Sequence, residues 1–214
     1  MPDSQPPCPR IDDPAARRPR PARPVDAASL VVLRREGGEM SVLMGQRSAG
    51  HRFMPRALVF PGGRLDREDH AADAPSVGGL APGFAAAALR ETEEETGLAA
   101  QPGAPLAYLC RLVTPAFLPI RFDARFLVAE ATWFSGTLAG SGELEFLRFI
   151  PLGEVGALAL SQPTRLVLDE LTLWLSLDEQ GRAAHVAGTW RHRAGFLRRD
   201  PPGQLTARKV SRPA

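Results

Sequence analysis

The sequence predicts an α/β fold in which a mixed β-sheet is sandwiched between helices. Three observations lead there. Short apolar runs of strand length recur along the chain. They flank an Ala-rich helix, Gly83–Thr96, that ends in glutamates. A second, largely apolar helix falls near Thr164–Leu177. Strands around two helices of unequal character call for a layered α/β or α+β arrangement.

Residues 1–24 are rich in proline and poor in large apolar groups, so a disordered leader is expected. Ser29–Arg34 reads as a strand and Ser41–Gln46 as its partner, with Glu36-Gly37-Gly38-Glu39 as the hairpin turn between them. Ala57–Phe60 is a short apolar run that ends at Pro61-Gly62-Gly63. Residues 64–82 are polar and rich in Gly and Pro, which reads as a loop insertion. Gly83–Thr96 follows, with Gly97 as the stop signal of the helix. Leu106–Val113, Arg121–Ala129 and Leu147–Ile150 read as further strands. Pro151 opens a turn or short helix, and apolar spacing over Thr164–Leu177 predicts a buried helix. Beyond Gly181 the chain is basic and weakly patterned. The expected layout is therefore a leader (1–24), one domain (25–181) and a basic C-terminal extension (182–214).

The net charge of +2 hides an asymmetry. Residues 1–25 hold five Arg against three acids, and residues 182–214 hold eight Lys or Arg against one acid. The body between them carries 13 basic and 20 acidic residues. An acidic body argues against broad binding to a phosphate backbone. It suits a site that gathers carboxylates around a divalent metal. The two cysteines, Cys8 and Cys110, form neither a disulfide framework nor a zinc spacing. No run of about 18 apolar residues occurs, so no membrane span is expected. The start of the chain lacks the apolar core of a signal peptide. The expected location is cytoplasmic.

Glu91, Glu94 and Glu95 fall at i, i+3 and i+4. On a helix they share one face, about 5–6 Å apart at Cβ. Like charges so close repel, and glutamates near a helix C-terminus also oppose the macrodipole. A hard divalent cation resolves both, because Mg²⁺ and Mn²⁺ prefer oxygen ligands, bridge phosphate oxygens and acidify water. The plain alternative is a solvated acidic helix end. Arg90 is placed to orient a carboxylate on or near this helix.

Arg90-Glu91-Thr92-Glu93-Glu94-Glu95-Thr96-Gly97 resembles the second half of the Nudix box, Arg-Glu-x-x-Glu-Glu-x-Gly. Phe60-Pro61-Gly62-Gly63 resembles the start of the box, and Ala86-Ala87-Ala88-Leu89 its Ala-rich approach. The resemblance implies a Nudix-type α/β/α sandwich and metal-dependent hydrolysis of a diphosphate linkage in a nucleoside diphosphate derivative. It implies metal ligation of Mg²⁺ or Mn²⁺ by Glu91, Glu94, Glu95 and the Gly63 carbonyl, with Arg90 holding a box carboxylate. For the catalytic base it leaves a box glutamate or a later one, of which Glu143 and Glu145 are the candidates. The sequence departs from the pattern in two places. Arg64 through Leu89 supply 26 residues where the usual box has about half as many, so Asp66 and Asp69 are the best matches for its early acids. Thr92 stands where an apolar residue is usual.

Leu43-Met44-Gly45-Gln46-Arg47-Ser48, then Arg52, then Phe60-Pro61-Gly62-Gly63 resembles the signature of coenzyme A diphosphatases, with Gly45 and Arg56 as departures. Arg47, Ser48 and Arg52 are the implied substrate contacts, since arginine forks clamp phosphates. Surface ion pairs are the alternative for both arginines. Thr114-Pro115 followed by Arg121-Phe122-Asp123-Ala124-Arg125-Phe126 is similar to the subgroup with an insertion in the box. Arg121 and Arg125, four apart on a strand, either face the substrate or balance the acidic body. Pro115 also resembles a feature of ADP-ribose hydrolases.

Two other classes compete. One is a catalytically idle Nudix-like module that binds nucleotides. The other is a nucleic-acid binder using Trp190-Arg191-His192-Arg193 and Phe196-Leu197-Arg198-Arg199, where aromatics interleave with cations. A solvated tail is the simpler reading of that stretch, and nucleic acid is not the expected partner. His51, His70, His185 and His192 read as surface residues, and Trp133 and Trp174 as core. Homodimers are common among the relatives implied by the resemblance.

Overall fold

The computed structural model describes residues 22–50, 54–193 and 196–200. The expected leader lies outside them except for its last three residues, as does Arg52. The chain opens with a hairpin, β1 (Val25–Glu36) and β2 (Glu39–Arg47), with Gly37 and Gly38 in its turn at φ of 58° and 86°. Short strands β3 (Leu58–Val59) and β4 (Gly62–Arg64) follow, and β4 returns to pair with the start of β1. Helix α1 (Pro82–Thr96) comes next, then β5 (Leu98–Ala100), β6 (Ala107–Val113), β7 (Phe122–Glu130), β8 (Phe134–Gly136) and β9 (Leu144–Pro151). The chain then forms α2 (Leu152–Val155), α3 (Gln162–Leu175), α4 (Glu179–Ala183), β10 (Gly188–Arg193) and β11 (Phe196–Asp200).

The sheet runs β11-β10-β6-β7-β1-β2-β3, with β4 added to β1 and β9 to β2. β1 is parallel to β7 and β10 to β6, while the other pairs are antiparallel, so the sheet is mixed. Both of its faces are covered. Ala28, Leu30 and Val32 of β1 pack under α1 with Phe84, Ala85, Ala87 and Ala88. Val31 and Leu33 point the other way, into a layer closed by Val167, Leu168 and Leu171 of α3. Burial on both faces explains why β1 reads as a continuous apolar run rather than an alternating one. This is the α/β/α sandwich expected from the sequence.

Helix α1 starts at Pro82 and is stopped by Gly97, whose φ of 74° suits glycine. The alanines on its buried face bring it close to β1, which fixes the height of the glutamates that follow. Helix α3 starts on Ser161, whose Oγ accepts from the Thr164 N–H at 3.3 Å. No helix among the described residues is long and apolar enough to cross a membrane.

Several expectations need correction. Of the basic stretch after Gly181, whose residues 201–214 lie outside the described residues, the part in β10 and β11 is not simply solvated, because these strands extend the main sheet beyond β6. The reason lies in buried acids elsewhere. Glu170 on α3, 2% exposed, accepts from Trp190 Nε1 at 3.0 Å and from Arg199 Nη2 at 3.3 Å, and pairs with Arg199 Nε at 2.9 Å. Asp200, also buried, pairs with Arg191 and Arg193 at 3.3 and 2.9 Å. Trp133 is not core but lies 38% exposed on a turn, whereas Trp174 does pack against the α3 layer. His185 is no free surface residue, since its Nε2 is 2.9 Å from the Leu109 carbonyl. Arg121 falls just before β7 rather than within it.

Candidate active site

The acidic end of α1 lies against β4. Gly62 sits opposite Ser29 and Gly63 opposite Ala28, with Gly62 at a φ of 151°. A side chain at Gly62 would collide with the Ala28 carbonyl and Ser29, and one at Gly63 would collide with the Glu91 carboxylate. Two glycines in a row thus let bare backbone rest on the glutamates. The Gly62 N–H donates to Glu95 Oε2 at 2.8 Å, in a buried hydrogen bond.

Arg90 gathers the other carboxylates. Its Nε and Nη2 donate to the two oxygens of Asp69 at 3.1 and 2.9 Å, a bidentate fork. Nη1 donates to Glu91 Oε1 at 3.0 Å and to Glu94 Oε2 at 3.1 Å. Nη2 also reaches the Arg64 carbonyl at 3.2 Å. Of the two candidate early acids, the structure brings Asp69 into this fork, where it is also buried and accepts the Asp66 N–H at 2.8 Å. Asp66 itself is exposed and only 3.8 Å from Arg90 at its nearest oxygen. Burial would raise the Asp69 pKa, but the bonds from Arg90 and the Asp66 N–H outweigh it and hold the carboxyl below its usual range.

Glu95 and Glu91 are pushed the other way. Burial lifts Glu95 to about 7, opposed by the Gly62 N–H and reinforced by the charge of Glu91. Burial also raises Glu91, against the attraction of Arg90 and with the repulsion of Glu94. Glu94 is the exposed member of the set. Among the described residues no three acidic, histidine or cysteine side chains already converge as metal ligands. Glu91 and Glu94 lean on Arg90, and Glu95 leans on Gly62. The donor set nevertheless fits a hard dication. It consists of carboxylate oxygens on one helical face beside a bare glycine strand, and burial and repulsion disfavour the charges of Glu91 and Glu95 until a cation offsets them.

The other predicted residues divide into two groups. Arg47 ends β2 opposite Leu144 of β9. Burial lowers its pKa, and the charges of Glu95, Glu143 and Glu91 counter that, which places it within electrostatic reach of the cluster. The Ser48 N–H donates to the Glu143 carbonyl at 3.0 Å, and Glu143 raises both Glu91 and Glu95. Arg47 and Glu143 are therefore within electrostatic reach of the carboxylates, and Ser48 is tied to Glu143 through the backbone. Glu145 pairs in register with Gln46 instead. Arg121 donates to the Thr114 and Ala22 carbonyls, at 3.1 and 2.7 Å. Arg125 pairs with Asp26 at 2.8 Å and Asp123 at 3.1 Å and lies 4.2 Å over the Phe84 ring. Both arginines brace the start of β7. Thr92, the departure from the box pattern, is fully buried, and its hydroxyl donates to the Ala88 carbonyl at 2.7 Å. The bond from Gly62 to Glu95 had no sequence signal, because it joins residues 33 apart.

A helix that presents carboxylates to a diglycine strand inside an α/β/α sandwich defines the class, and the NUDIX domain family model matches residues 23–175. The chain belongs to the NUDIX family. It is similar to a NUDIX hydrolase from Alicyclobacillus acidocaldarius, with 27% identity over 69% of this chain and 90% of that one and a TM-score of 0.55. A MutT NUDIX hydrolase from Burkholderia pseudomallei superimposes with a TM-score of 0.53 at 22% identity, covering 70% of this chain and 99% of that one. The NUDIX domain of Shewanella oneidensis NrtR, solved with ADP ribose, has a TM-score of 0.54 at 16% identity, covering 78% and 95%. No curated protein matches the chain. The enzyme is a Nudix hydrolase, a group that generally uses divalent metals such as Mg²⁺ or Mn²⁺. Strands β10 and β11 lie beyond the matched residues.

Proposed function

We propose that the protein hydrolyses a diphosphate linkage in a nucleoside diphosphate derivative with Mg²⁺ or Mn²⁺, and that coenzyme A or an acyl-coenzyme A is the substrate. The observation that carries the reaction is the face of Glu91, Glu94 and Glu95 beside Gly62-Gly63, with Arg90 fixing Glu91 and Glu94 from one side. Glu91, Glu94, Glu95 and the Gly63 carbonyl would hold the cation. When bound, it would neutralise phosphate oxygens and ease the attack of water on phosphorus.

The chain's own residues supply the rest. Asp69 locks the Arg90 fork, so Arg90 positions glutamates rather than substrate. Arg47, beside the cluster at the end of β2, would bind the phosphates. Glu143 is favoured over Glu145 as the base, because its charge is felt at Glu91 and Glu95. Support for coenzyme A comes from the spacing of Arg47, Ser48 and Phe60-Pro61-Gly62-Gly63 and from the long segment between Gly63 and Arg90. ADP-ribose is the second reading, favoured by the ligand of the Shewanella oneidensis domain.

The test is a diphosphate panel containing coenzyme A, an acyl-coenzyme A and ADP-ribose, run with Mg²⁺ and with Mn²⁺ on wild type and Glu94→Gln. Glu94→Gln should lose at least about a hundredfold in kcat, the order of one lost transition-state contact. Equal turnover by both proteins sinks the site assignment. A higher kcat/KM for ADP-ribose than for either coenzyme A compound sinks the substrate.

A further inference from the structure

Strand β9 carries a residue in a conformation that its side chain disfavours. Phe146 has a φ of 52°, in the left-handed region. A bulky residue there costs about 1–2 kcal/mol, and at a bulge of this kind glycine is the usual occupant. The pairing with β2 slips at this point. Met44 faces Arg148 and Gln46 faces Glu145, so Phe146 and Leu147 together oppose Gly45. Leu147 takes the inward place and packs with the apolar layer under α1. Phe146 is turned out of the sheet and stands 76% exposed. Core packing accounts for Leu147 but not for Phe146. Bulges of this type collect beside active sites, where they re-aim a side chain.

The position supplies the purpose. Glu143, whose carbonyl accepts the Ser48 N–H at 3.0 Å next to Arg47, lies three residues before Phe146, about 10 Å along an extended strand. Leu144, two residues before it, faces Arg47. Phe146 therefore lies two residues along β9 from the partner of Arg47, the proposed phosphate-binding residue. In a nucleoside diphosphate the base is one sugar away from the phosphates and offers a flat π-face. An exposed phenyl ring at that remove is a stacking surface, and base–aromatic stacking contributes about 1–3 kcal/mol per base.

We propose that Phe146 is the platform on which the nucleobase of the substrate stacks, held outward by the bulge in β9. This rests on the reading of the neighbouring carboxylate face as a nucleoside diphosphate site.

The test is calorimetric binding of ADP and of inorganic pyrophosphate, with Mg²⁺ present, to wild type, Phe146→Leu, Phe146→Tyr and Phe146→Gly. Phe146→Leu should weaken ADP binding about tenfold, which is about 1.4 kcal/mol. Phe146→Tyr should stay within about twofold of wild type, and pyrophosphate affinity should be the same in all four. Phe146→Gly relieves the backbone and should melt no lower than wild type. It gives the same loss of ADP affinity should the leucine variant fold badly. Unchanged ADP binding in Phe146→Leu and Phe146→Gly overturns the proposal. So does an equal loss of ADP and pyrophosphate affinity, and so does a wild type that binds no ADP. If ADP binding depends on Phe146 while no panel diphosphate is cleaved, the functional reading falls and the platform stands. If diphosphates are cleaved but ADP ignores the ring, the platform alone falls.

Discussion

In the metal-free protein, Glu95→Gln should stabilise the fold progressively above about pH 4.5 and to its full extent above about pH 7. Glu95 is 4% exposed, and burial lifts its pKa from 4.5 to about 7. A group raised in this way supports the fold fully below its unfolded pKa, and the support is lost as pH rises through the folded value. The window here runs from pH 4.5 to about 7. At about 1.4 kcal/mol per pKa unit, ionising Glu95 costs the folded state about 3 kcal/mol by pH 8. Glutamine is neutral throughout, and its Oε1 still accepts the Gly62 N–H. Each kcal/mol moves the Tm of a domain this size by about 2–4 °C. With a chelator present, the variant should therefore melt about 6–12 °C above wild type at pH 8 and close to it at pH 4.5. Circular dichroism melts across that range measure the difference. A gap that does not change with pH, or a variant that melts lower than wild type at pH 8, refutes the reasoning. Turnover should fall in the same variant, since stability gained at a strained site is commonly lost from function.

Gly63→Ala and Gly62→Ala should part company. The first meets only the end of the Glu91 side chain, so Tm should shift little while kcat drops about a hundredfold as Glu91 is displaced. The second meets backbone at a glycine-only φ and should cost about 3 kcal/mol or more in a denaturant melt. Asp69→Asn takes the charge from the Arg90 fork and should cost about 2 kcal/mol at pH 7, with reduced turnover. Because the Asp69 pKa is lowered, its support is present above 3.8 and is lost as pH falls, so the gap to wild type should close in acid. Trp190→Phe leaves one Glu170 oxygen short of a donor and should cost about 1–2 kcal/mol in urea unfolding, without changing kcat.

The carboxylate helix was legible because everything that defines it is local. The alanines, the i, i+3, i+4 glutamates and the closing glycine all sit within a few turns of one another, and helical geometry alone puts the charges on one face. Pairings that span the sequence were harder to read. Asp69 and Asp66 were both candidate partners for Arg90, because the segment from 64 to 82 has no regular pattern from which to take an offset. Only folding shows that Asp69 turns inward and Asp66 outward. The bulge that exposes Phe146 left no trace either. A phenylalanine beside Leu147 looks like ordinary strand composition, and the left-handed backbone beneath it is a property of the pairing with β2.

The basic C-terminal stretch shows most clearly how far local reading reaches. Taken alone, Trp190 through Arg199 is a run of cations and aromatics with no clear period, which is also how a solvated or RNA-binding tail looks. Its partners lie elsewhere. Glu170 falls in the middle of the apolar helix that packs on the sheet, at a depth where an unpaired carboxylate would cost several kcal/mol. That isolated acid on a buried face was a readable demand for a cation from outside the helix. Asp200, the single acid among residues 182–214, was the matching sign that the stretch folds back on itself. Glu170 binds Trp190 and Arg199, and Asp200 binds Arg191 and Arg193. In this protein, then, a basic segment is better read against the unpaired acids of the body than by its own charge.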